Sequence, residues 1–391
     1  MTRRLNVTFQ CLATLALVAF IVWLEIKRPF PSFRTATLLS AAALFCLLAF
    51  ACAGRLRDVC VTLCALTLGL GVAEGAARAL EPAGGLNITR GWSVRQPILG
   101  WGPERPGSYH AEMRGPAGEE IYTADYTIDE NLLRRTVSQP TGPAIVFFGD
   151  SYTFGDGIGD DQTLPQRFAD LLGRKQRVVN LAFTGYGPQQ FLRAMETSRD
   201  DALIGPDPRL FIFLTAPWHA ERTGCKAYWT ARSPHYAIGA DGSLAFAGEC
   251  FEGAKLHIYE WLQDSALFRR LVDPYRRRVS HDDVELYVRV LEAAIAEARS
   301  KYGVPTLIPY LRVPREYLAE TGFTDEAIMD RLRAAGAIVV DASLREDEAA
   351  GKLISIKGDG HPTPYANVRR AEMIKTAIEQ NLSGGFVSEL N

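Results

Sequence analysis

The chain has 391 residues, with 43 Lys and Arg against 45 Asp and Glu and a formal net charge of −2. This length is more than one compact domain usually holds, and the near-neutral balance argues against a nucleic-acid partner or a strongly charged one. Hydrophobic residues make up 47 % of the chain, and the first 80 residues are far more apolar than the rest. We therefore expect a transmembrane anchor over residues 1–80, followed by a polar remainder.

Three apolar segments near the N-terminus, at residues 6–25, 36–53 and 59–77, are candidates for membrane-spanning helices. A helix needs about 20 apolar residues to cross a bilayer, and the first two segments meet that length. The third runs for fifteen uncharged residues and then meets Glu74, which fits a span if Glu74 lies near an interface. A cleaved signal peptide is the alternative for the first segment, but no small-residue cleavage site is evident.

Positive charge leaves the orientation of these segments open. Three spans with a cytoplasmic N-terminus would place everything after residue 80 outside the cytoplasm, in the periplasm for a bacterial inner membrane. Cys225 and Cys250 are the two cysteines of the polar part, and one disulfide between them would suit such an exported domain. In one orientation of the spans, the positive side chains facing the cytoplasm would be Arg3, Arg4, Arg55 and Arg57. In the opposite orientation they would be Lys27, Arg28, Arg34 and Arg78, so the numbers are equal.

Residues 81–143 are rich in Gly, Pro and Arg and predict an extended lead-in segment with one strand at 120–129. Arg and Trp side chains of this segment either line a substrate groove or serve packing and solvation. The polar part then predicts an α/β domain over 144–391, because apolar strand-like runs alternate with helical patterns. An insertion at 217–282 interrupts it and contains a hairpin signal at 238–243.

The predicted sheet is parallel and covered by helices on both faces. Thr363 and Pro364 suit the N-cap and first turn of a last helix. The predicted strands are 144–148, 177–182, 210–215, 305–311 and 337–341, and the predicted helices before the last one are 164–172, 189–197, 284–301 and 325–335.

Candidate catalytic residues follow two of these strands. Ser151 ends the tripeptide Gly-Asp-Ser directly after the first strand, where ligands of open α/β sheets bind. A serine hydroxyl needs a positioned base, usually a His oriented by a carboxylate. His361 lies after the fifth strand in a Gly-rich loop, and Asp359 precedes it by two residues. The alternative for that loop is a capping Asp beside a surface His.

A third candidate segment, Asn-Leu-Ala-Phe-Thr-Gly at 180–185, leaves the second strand and opens the next helix. Gly185 permits a tight backbone, and a free amide there could donate to an oxyanion. The same loop could also bind phosphate at a helix N-terminus. It lacks the spacing of a Walker A motif or a dinucleotide fingerprint.

Taken in chain order, Gly-Asp-Ser at 149–151, Asn-Leu-Ala-Phe-Thr-Gly at 180–185 and the Asp359-His361 loop resemble the SGNH (GDSL) hydrolase family. The whole layout resembles its membrane-anchored bacterial members. The resemblance covers about residues 144–380 and implies a flavodoxin-like three-layer α/β/α domain. It also implies Ser151 as nucleophile, His361 as base, Asp359 as the carboxylate partner of that base, and Gly185 as an oxyanion-hole residue.

The chain departs from the family pattern in two places. The usual Asp-x-x-His is one residue shorter, because Asp359 and His361 are separated by Gly360 alone. Members of the family also carry an Asn that donates to the oxyanion at the end of the third strand; no Asn is present there in this chain, and His219 lies nearest to that position. His219 could supply an N–H in its place, or it could simply pack within the insertion.

The resemblance implies a membrane-anchored serine esterase that forms an acyl-enzyme on Ser151. Its expected substrate is an O-acyl or O-acetyl group on an extracytoplasmic glycan, and its other expected partners are the lipid bilayer and polysaccharide-assembly proteins. Two alternatives stay open, an O-acyltransferase acting on a cell-surface polysaccharide and a non-catalytic glycan-binding or assembly protein. The sequence contains no evident metal-ligand cluster, so we expect no metal, no cofactor and no nucleic-acid partner.

Overall fold

The computed structural model describes residues 2–82 and 84–382. The chain divides into two compact units. One comprises the residues up to Glu81 together with Ala254–Arg276, and the other comprises Pro82–Gly253 together with the chain from Arg277 onward. Residues 254–276 fall inside the predicted insertion 217–282, so that insertion contributes to both units.

The helices and strands are numbered in chain order. The helices are α1 (Thr2–Lys27), α2 (Phe33–Ala51), α3 (Gly54–Ala79), α4 (Ser151–Phe154), α5 (Leu164–Leu171), α6 (Pro188–Glu196), α7 (Asp201–Ile204), α8 (His219–Thr223), α9 (Gly253–Gln263), α10 (Ala266–Leu271), α11 (Asp273–Arg276), α12 (His281–Tyr302), α13 (Arg315–Leu318), α14 (Asp325–Ala334), α15 (Arg345–Ala349) and α16 (Pro364–Asn381). The strands are β1 (Gly85–Ile88), β2 (Val94–Gln96), β3 (Gly100–Gly102), β4 (Gly107–Arg114), β5 (Glu120–Ile128), β6 (Ala144–Phe148), β7 (Arg177–Asn180), β8 (Leu210–Phe213), β9 (Pro234–Ile238), β10 (Leu244–Glu249), β11 (Thr306–Tyr310) and β12 (Ile338–Asp341).

The N-terminal unit contains the three predicted apolar helices. Phe9–Lys27, Phe33–Ala51 and Gly54–Ala79 are each long and apolar enough to cross a membrane. The predicted helices are therefore confirmed within the described part of the chain, and they suggest that the protein associates with a membrane.

Glu74 of α3 is 3 % exposed and binds the start of α10. Its carboxylate accepts hydrogen bonds from Ser265 Oγ at 2.6 Å, Ala266 N at 2.7 Å and Leu267 N at 3.1 Å. An ionised carboxylate is costly to bury without donors, and a helix N-terminus is a favourable place for negative charge. The charge that interrupts the third apolar segment thus caps a helix about 190 residues later in the chain.

Five strands of the second unit form a parallel sheet in the order β7-β6-β8-β11-β12. With the strands of this sheet numbered along the chain, the order is 2-1-3-4-5, which is the flavodoxin-like order. The predicted α/β fold with a parallel sheet is therefore confirmed. The strand order reverses between β6 and β8, and ligands of such sheets bind at this switch point, beyond the carboxyl ends of the strands.

Side chains of β6 show how the three layers pack. Ile145 and Phe147 belong to one apolar cluster, which includes residues of α5 and α16. Val146 and Phe148 belong to the other cluster, which includes residues of α6 and α12. Because successive side chains of a strand point to opposite faces, both faces of the sheet are covered by helices. The strands are buried on both faces, which explains their continuous apolar sequence.

The predicted helices agree with the observed ones to within a few residues at their ends. Thr363 Oγ1 caps α16 by accepting the Ala366 N–H at 3.2 Å, and Pro364 occupies the first turn, as predicted. The second and third strands end two residues earlier than predicted, at Asn180 and Phe213. The apolar residues that follow them are buried in loops at the edge of the sheet, so burial there does not require strand pairing.

The lead-in segment forms a three-stranded antiparallel sheet in the order β1-β4-β5. Its aromatic side chains, including Trp92, Tyr109 and Tyr126, are buried in the same apolar cluster as Phe148. Within the insertion, β9 and β10 form the predicted hairpin. Cys225 and Cys250 are joined in a disulfide with their Cα atoms 5.5 Å apart.

Candidate active site

Ser151 is the first residue of α4 and follows β6 through the Gly149-Asp150 turn. Asp150 caps this short helix, because its Oδ1 accepts the Tyr152 N–H at 2.9 Å. The turn continues until Gly155 N and Asp156 N both donate to Ser151 O, at 2.9 and 3.0 Å. Ser151 therefore lies at the switch point of the sheet, and Asp156 is brought back beside it.

His361 and Asp359 form a hydrogen-bonded pair in the loop before α16. His361 Nδ1 lies 2.5 Å from Asp359 Oδ2. Since an ionised carboxylate only accepts hydrogen bonds, Nδ1 carries the proton and Nε2 is left as the proton acceptor. The one-residue spacer Gly360 has a φ of +96°, which a residue with a side chain rarely adopts. This glycine lets the shorter Asp-x-His sequence close into a tight pair.

Tyr152 connects the Ser151 turn to the His361 loop. Its hydroxyl donates to Gly360 O at 2.9 Å, and its ring centroid lies 5.7 Å from that of His361. His361 Nε2 lies 3.9 Å from Asp156 Oδ2. Tyr152, the residue after Ser151, and Asp156 thus both lie next to His361, although no hydrogen bond joins Ser151 Oγ to His361 within the described residues. Catalytic hydrogen bonds often tighten only in the substrate complex.

Asp156 is a second carboxylate beside His361, and the sequence patterns did not identify it. It is 4 % exposed and accepts hydrogen bonds from Thr184 Oγ1 at 2.9 and 3.1 Å. Burial raises the pKa of Asp156 to about 6, although the charge of His361 and the Thr184 hydrogen bond oppose this. Burial also acts to lower the pKa of His361, but the Asp359 hydrogen bond and the Asp156 charge outweigh it, so that pKa is raised.

Arg134 of the lead-in segment holds the loop that carries Asp156. Its side chain is fully buried and pairs with Asp160 at 2.7 Å. It also donates to Gly155 O at 3.3 Å and to Ile158 O at 2.9 Å. These contacts lie on both sides of Asp156, so the lead-in segment positions this carboxylate.

The loop after β7 is fixed by three side-chain donors. Each carbonyl of residues 184–186 accepts one hydrogen bond, which sets the orientation of the following peptide plane. The pairs are Trp101 Nε1 to Thr184 O at 2.9 Å, Trp229 Nε1 to Gly185 O at 3.1 Å, and Arg222 Nη1 to Tyr186 O at 2.5 Å.

The backbone N–H groups of Ser151 and Gly185 donate no hydrogen bond to another described residue. They follow the adjacent strands β6 and β7 at the same edge of the sheet. Preorganised N–H donors of this kind are what an oxyanion hole requires. These two residues are the expected members of such a hole.

His219 has different partners from those expected of an oxyanion donor. It is 0 % exposed, its Nε2–H donates to Asp150 Oδ2 at 3.0 Å, and its Nδ1 accepts from Thr215 Oγ1 at 2.9 Å. Burial and the charge of Arg222 lower the pKa of His219, which favours the neutral ring. Both ring nitrogens are therefore engaged inside the protein, and this geometry leaves neither N–H for an oxyanion. Of the two alternatives that the sequence left open for His219, these contacts favour packing inside the protein over an oxyanion donor, because α8 begins at this residue and buries it.

Arg222 connects the two turns that carry Ser151 and Gly185. Its Nη1 donates to Asp150 Oδ2 at 2.8 Å as well as to Tyr186 O. Burial opposes ionisation of Asp150, but the Arg222 charge and the His219 hydrogen bond outweigh it and hold the pKa of Asp150 well below its usual range. Arg222 is thus a positioning residue for both turns.

One group of possible metal ligands lies in the insertion. Cys225, His235 and Cys250 have ligand atoms within 4.8 Å of one another. The two sulfur atoms are bonded to each other, so in this oxidised state they are not thiolate ligands.

No family model and no curated protein matches the sequence. Several solved structures resemble it. They include a putative SGNH hydrolase from Slackia heliotrinireducens, at 14 % identity and a TM-score of 0.32, covering 61 % of this chain and 100 % of that one. TesA is 14 % identical with a TM-score of 0.36, and the match covers 61 % of this chain and 98 % of TesA. The psychrotrophic esterase EstA from Pseudoalteromonas sp. is 9 % identical with a TM-score of 0.37, and the match covers 61 % of this chain and 98 % of EstA. Function therefore has to be inferred from the site itself.

Gly185→Ala tests the oxyanion role of the loop after β7. An added Cβ would lie 2.9 Å from Trp229 Nε1, and the φ of +81° is unfavourable for alanine. We expect kcat/KM for a short-chain aryl ester to fall about 10²-fold, the usual effect of losing one oxyanion donor. Gly351→Ala is the matched control, because Gly351 has a φ of +80° and open space around the added Cβ. Equal activity of the two variants would contradict the assignment.

Asp156→Asn tests the electrostatics around His361. Hydrolysis requires neutral His361, so the rate should rise with pH, with a midpoint above the ordinary His value of 6.5 because the pKa of His361 is raised. The substitution removes a negative charge that favours protonated His361, so the midpoint should move to lower pH. The measurement is kcat/KM against pH, with the exposed Asp161→Asn as control. An unchanged or higher midpoint in Asp156→Asn would refute this arrangement.

Proposed function

We propose that the protein is a membrane-anchored serine esterase that cleaves an ester through an acyl-enzyme on Ser151. The proposal is based on the arrangement of Asp359, His361 and two backbone N–H groups. Asp359 fixes His361 with Nε2 as proton acceptor, beside a turn where the N–H groups of Ser151 and Gly185 have no acceptor among the described residues.

In the acylation step, Ser151 Oγ attacks the ester carbonyl carbon while His361 Nε2 takes the hydroxyl proton. The N–H groups of Ser151 and Gly185 stabilise the oxyanion. Asp359 stabilises the imidazolium that forms. His361 then gives the proton to the oxygen of the leaving alcohol as the bond between that oxygen and the carbonyl carbon breaks.

In the deacylation step, water attacks the acyl carbon and His361 takes one of its protons. Collapse of the second tetrahedral intermediate breaks the bond to Ser151 Oγ, which recovers its proton from His361. The free acid is released. With both nitrogens of His219 engaged, the oxyanion has two backbone donors in this mechanism.

The proposed substrate is an O-acyl group, in the first instance O-acetyl, on an extracytoplasmic glycan. The disulfide between Cys225 and Cys250 supports an oxidising compartment for the unit that carries the site. Three candidate spans with a cytoplasmic N-terminus would put this unit in the periplasm of a bacterial cell. Polysaccharide-assembly proteins would be its partners at the same membrane.

A fluorophosphonate probe tests the nucleophile in the full chain. We expect the wild-type protein to be labelled and Ser151→Ala to be unlabelled and inactive on a short-chain aryl ester. His361→Ala should lose at least about 10³-fold in kcat, since the base and the nucleophile act as a unit. Ser243→Ala, at an exposed serine of the hairpin turn, is the control. Absence of labelling and hydrolysis in the wild type would overturn the proposal and favour a non-catalytic role in glycan binding or assembly.

A topology experiment tests the compartment. Alkaline phosphatase fused after Asn391 should be active, because this enzyme folds only outside the cytoplasm, where its disulfides form. The same reporter fused after Ala53, between α2 and α3, should be inactive in this orientation. The opposite pair of results would refute the extracytoplasmic substrate while leaving the esterase chemistry untouched.

A further inference from the structure

Arg370 of α16 is a buried cation without a carboxylate partner. It is 4 % exposed, and no carboxylate of the described residues forms an ion pair with it. Its Nε donates to Ala342 O at 3.0 Å, whereas its buried Nη1 has no hydrogen-bond partner. A buried charge without a counter-charge strongly destabilises the folded state, so Arg370 is a candidate for binding an anion from outside the protein.

The side chain remains a cation at neutral pH. Burial lowers the pKa of Arg370 to about 10, although Tyr152 and Asp150 act in the opposite direction. Asp150 is already occupied by His219 and Arg222. The positive charge of Arg370 is therefore available to an anion that reaches it.

Arg370 lines a cavity of about 270 Å³ whose wall includes sequence neighbours of Ser151 and His361. Tyr152, which follows Ser151, and Gly360, which precedes His361, form part of its wall. Small-molecule sites begin at roughly 300 Å³, so this space suits one small group rather than a whole oligosaccharide.

A second unsatisfied donor lines the same cavity. Trp218 Nε1 is buried and has no hydrogen-bond partner, and the Trp218 ring packs 5.4 Å from that of Tyr152. Buried polar groups are nearly always hydrogen-bonded, and here two residues that line one cavity each carry a buried donor without an acceptor.

The charges around the cavity agree with this interpretation. Its lining contains Arg312, Arg345 and Arg370 against a single acid, Glu348. Arg312 is neutralised by ion pairs with Asp341 and Glu326. The charges that remain are those of Arg345 and Arg370 against Glu348, and this positive excess favours an anionic group in the cavity.

We propose that this cavity is a subsite for a carboxylate on the substrate, bound by the Arg370 guanidinium and the Trp218 N–H. The proposal rests on the esterase function proposed above and adds a substrate class to it. The carboxylate belongs either to an acidic sugar or to a carboxylated acyl chain. Both sources offer the planar pair of oxygens that a guanidinium binds best.

The kinetic test compares Arg370→Met with Arg369→Met in the full chain in detergent micelles. Arg369 is the matched control, because it is the neighbouring arginine, is partly exposed, and pairs with Asp347 and Glu372. The substrates are 4-nitrophenyl acetate, 4-nitrophenyl hemisuccinate with an anionic acyl chain, and 4-acetoxybenzoate with an anionic leaving group.

Arg370→Met should lower kcat/KM by about 10- to 100-fold for one of the two anionic esters and leave the neutral ester within about twofold, as expected for loss of a hydrogen bond to a charged group. Loss with the hemisuccinate would assign the carboxylate to the acyl chain, and loss with the acetoxybenzoate would assign it to the alcohol side. Equal effects on all three esters, or the same pattern in Arg369→Met, would overturn the proposal.

A binding test separates the subsite from the esterase function. In a Ser151→Ala background, glucuronate or succinate should raise the thermal midpoint, glucose should not, and Arg370→Met should abolish the shift. If the wild type proves inactive and the Ser151→Ala protein still shows this shift, the esterase is refuted and the subsite is supported. Active enzyme with no charge preference and no shift would refute the subsite alone.

A folding control completes the design. Since Arg370→Met removes an unpaired buried charge, its thermal midpoint without ligand should be no lower than that of the wild type. If that variant fails to fold, Trp218→Phe carries the test, because it keeps the ring and removes the N–H donor. A full response to both anions in Trp218→Phe would then overturn the proposal.

Discussion

The buried carboxylate of Asp150 is the contact around which the candidate site is assembled. It accepts from Tyr152 N at the start of α4, from His219 at the start of α8, and from Arg222, which also binds Tyr186 O. A charge in this position is stable only while all of these donors are in place. The turn with Ser151 and the loop with Gly185 are therefore held together by one charge, and a local shift at either would disturb both.

His219 lies after the third strand of the parallel sheet, nearest to the position where the resemblance implies an oxyanion donor, and its contacts give it a different role. His219 sits beneath the Ser151 turn, in a chain of hydrogen bonds that runs through Thr215 Oγ1 to the Tyr287 hydroxyl. These contacts fix His219 inside the protein, and the proposed oxyanion hole consists of the backbone N–H groups of Ser151 and Gly185. In the proposed mechanism, Asp156 would provide a second negative charge beside the imidazolium of His361.

Much of the unit that carries the candidate site could be predicted from local sequence signals. The five strands are continuous apolar runs bounded by turn residues, and Ser151 and the Asp359-His361 pair follow strand ends that the parallel topology must bring to one edge. Asp156 could not be predicted in this way, because its proximity to His361 depends on how the loop after α4 folds back.

The sequence also could not single out Arg222, Arg134 and Arg370, because their roles depend on tertiary contacts and burial. In the sequence, Arg370 stands beside Arg369 on a helix and looks no different from it, yet one is buried in the core and the other is partly exposed. The same reason applies to residues 254–276. Their helical pattern carries no sign that they pack with the N-terminal helices.

The hydrogen bonds of Glu74 also bear on how the protein is made. Ser265 is synthesised 191 residues after Glu74, which takes about 10–40 s at the usual elongation rate of roughly 5–20 residues per second. During that interval the third helix leaves the ribosome with its carboxylate still lacking these donors. Final seating of that helix must then wait until most of the catalytic unit has been translated. Packing of α3 against α10 is thus tied to translation of the polar part, and a nascent chain that ends before residue 265 cannot form these hydrogen bonds.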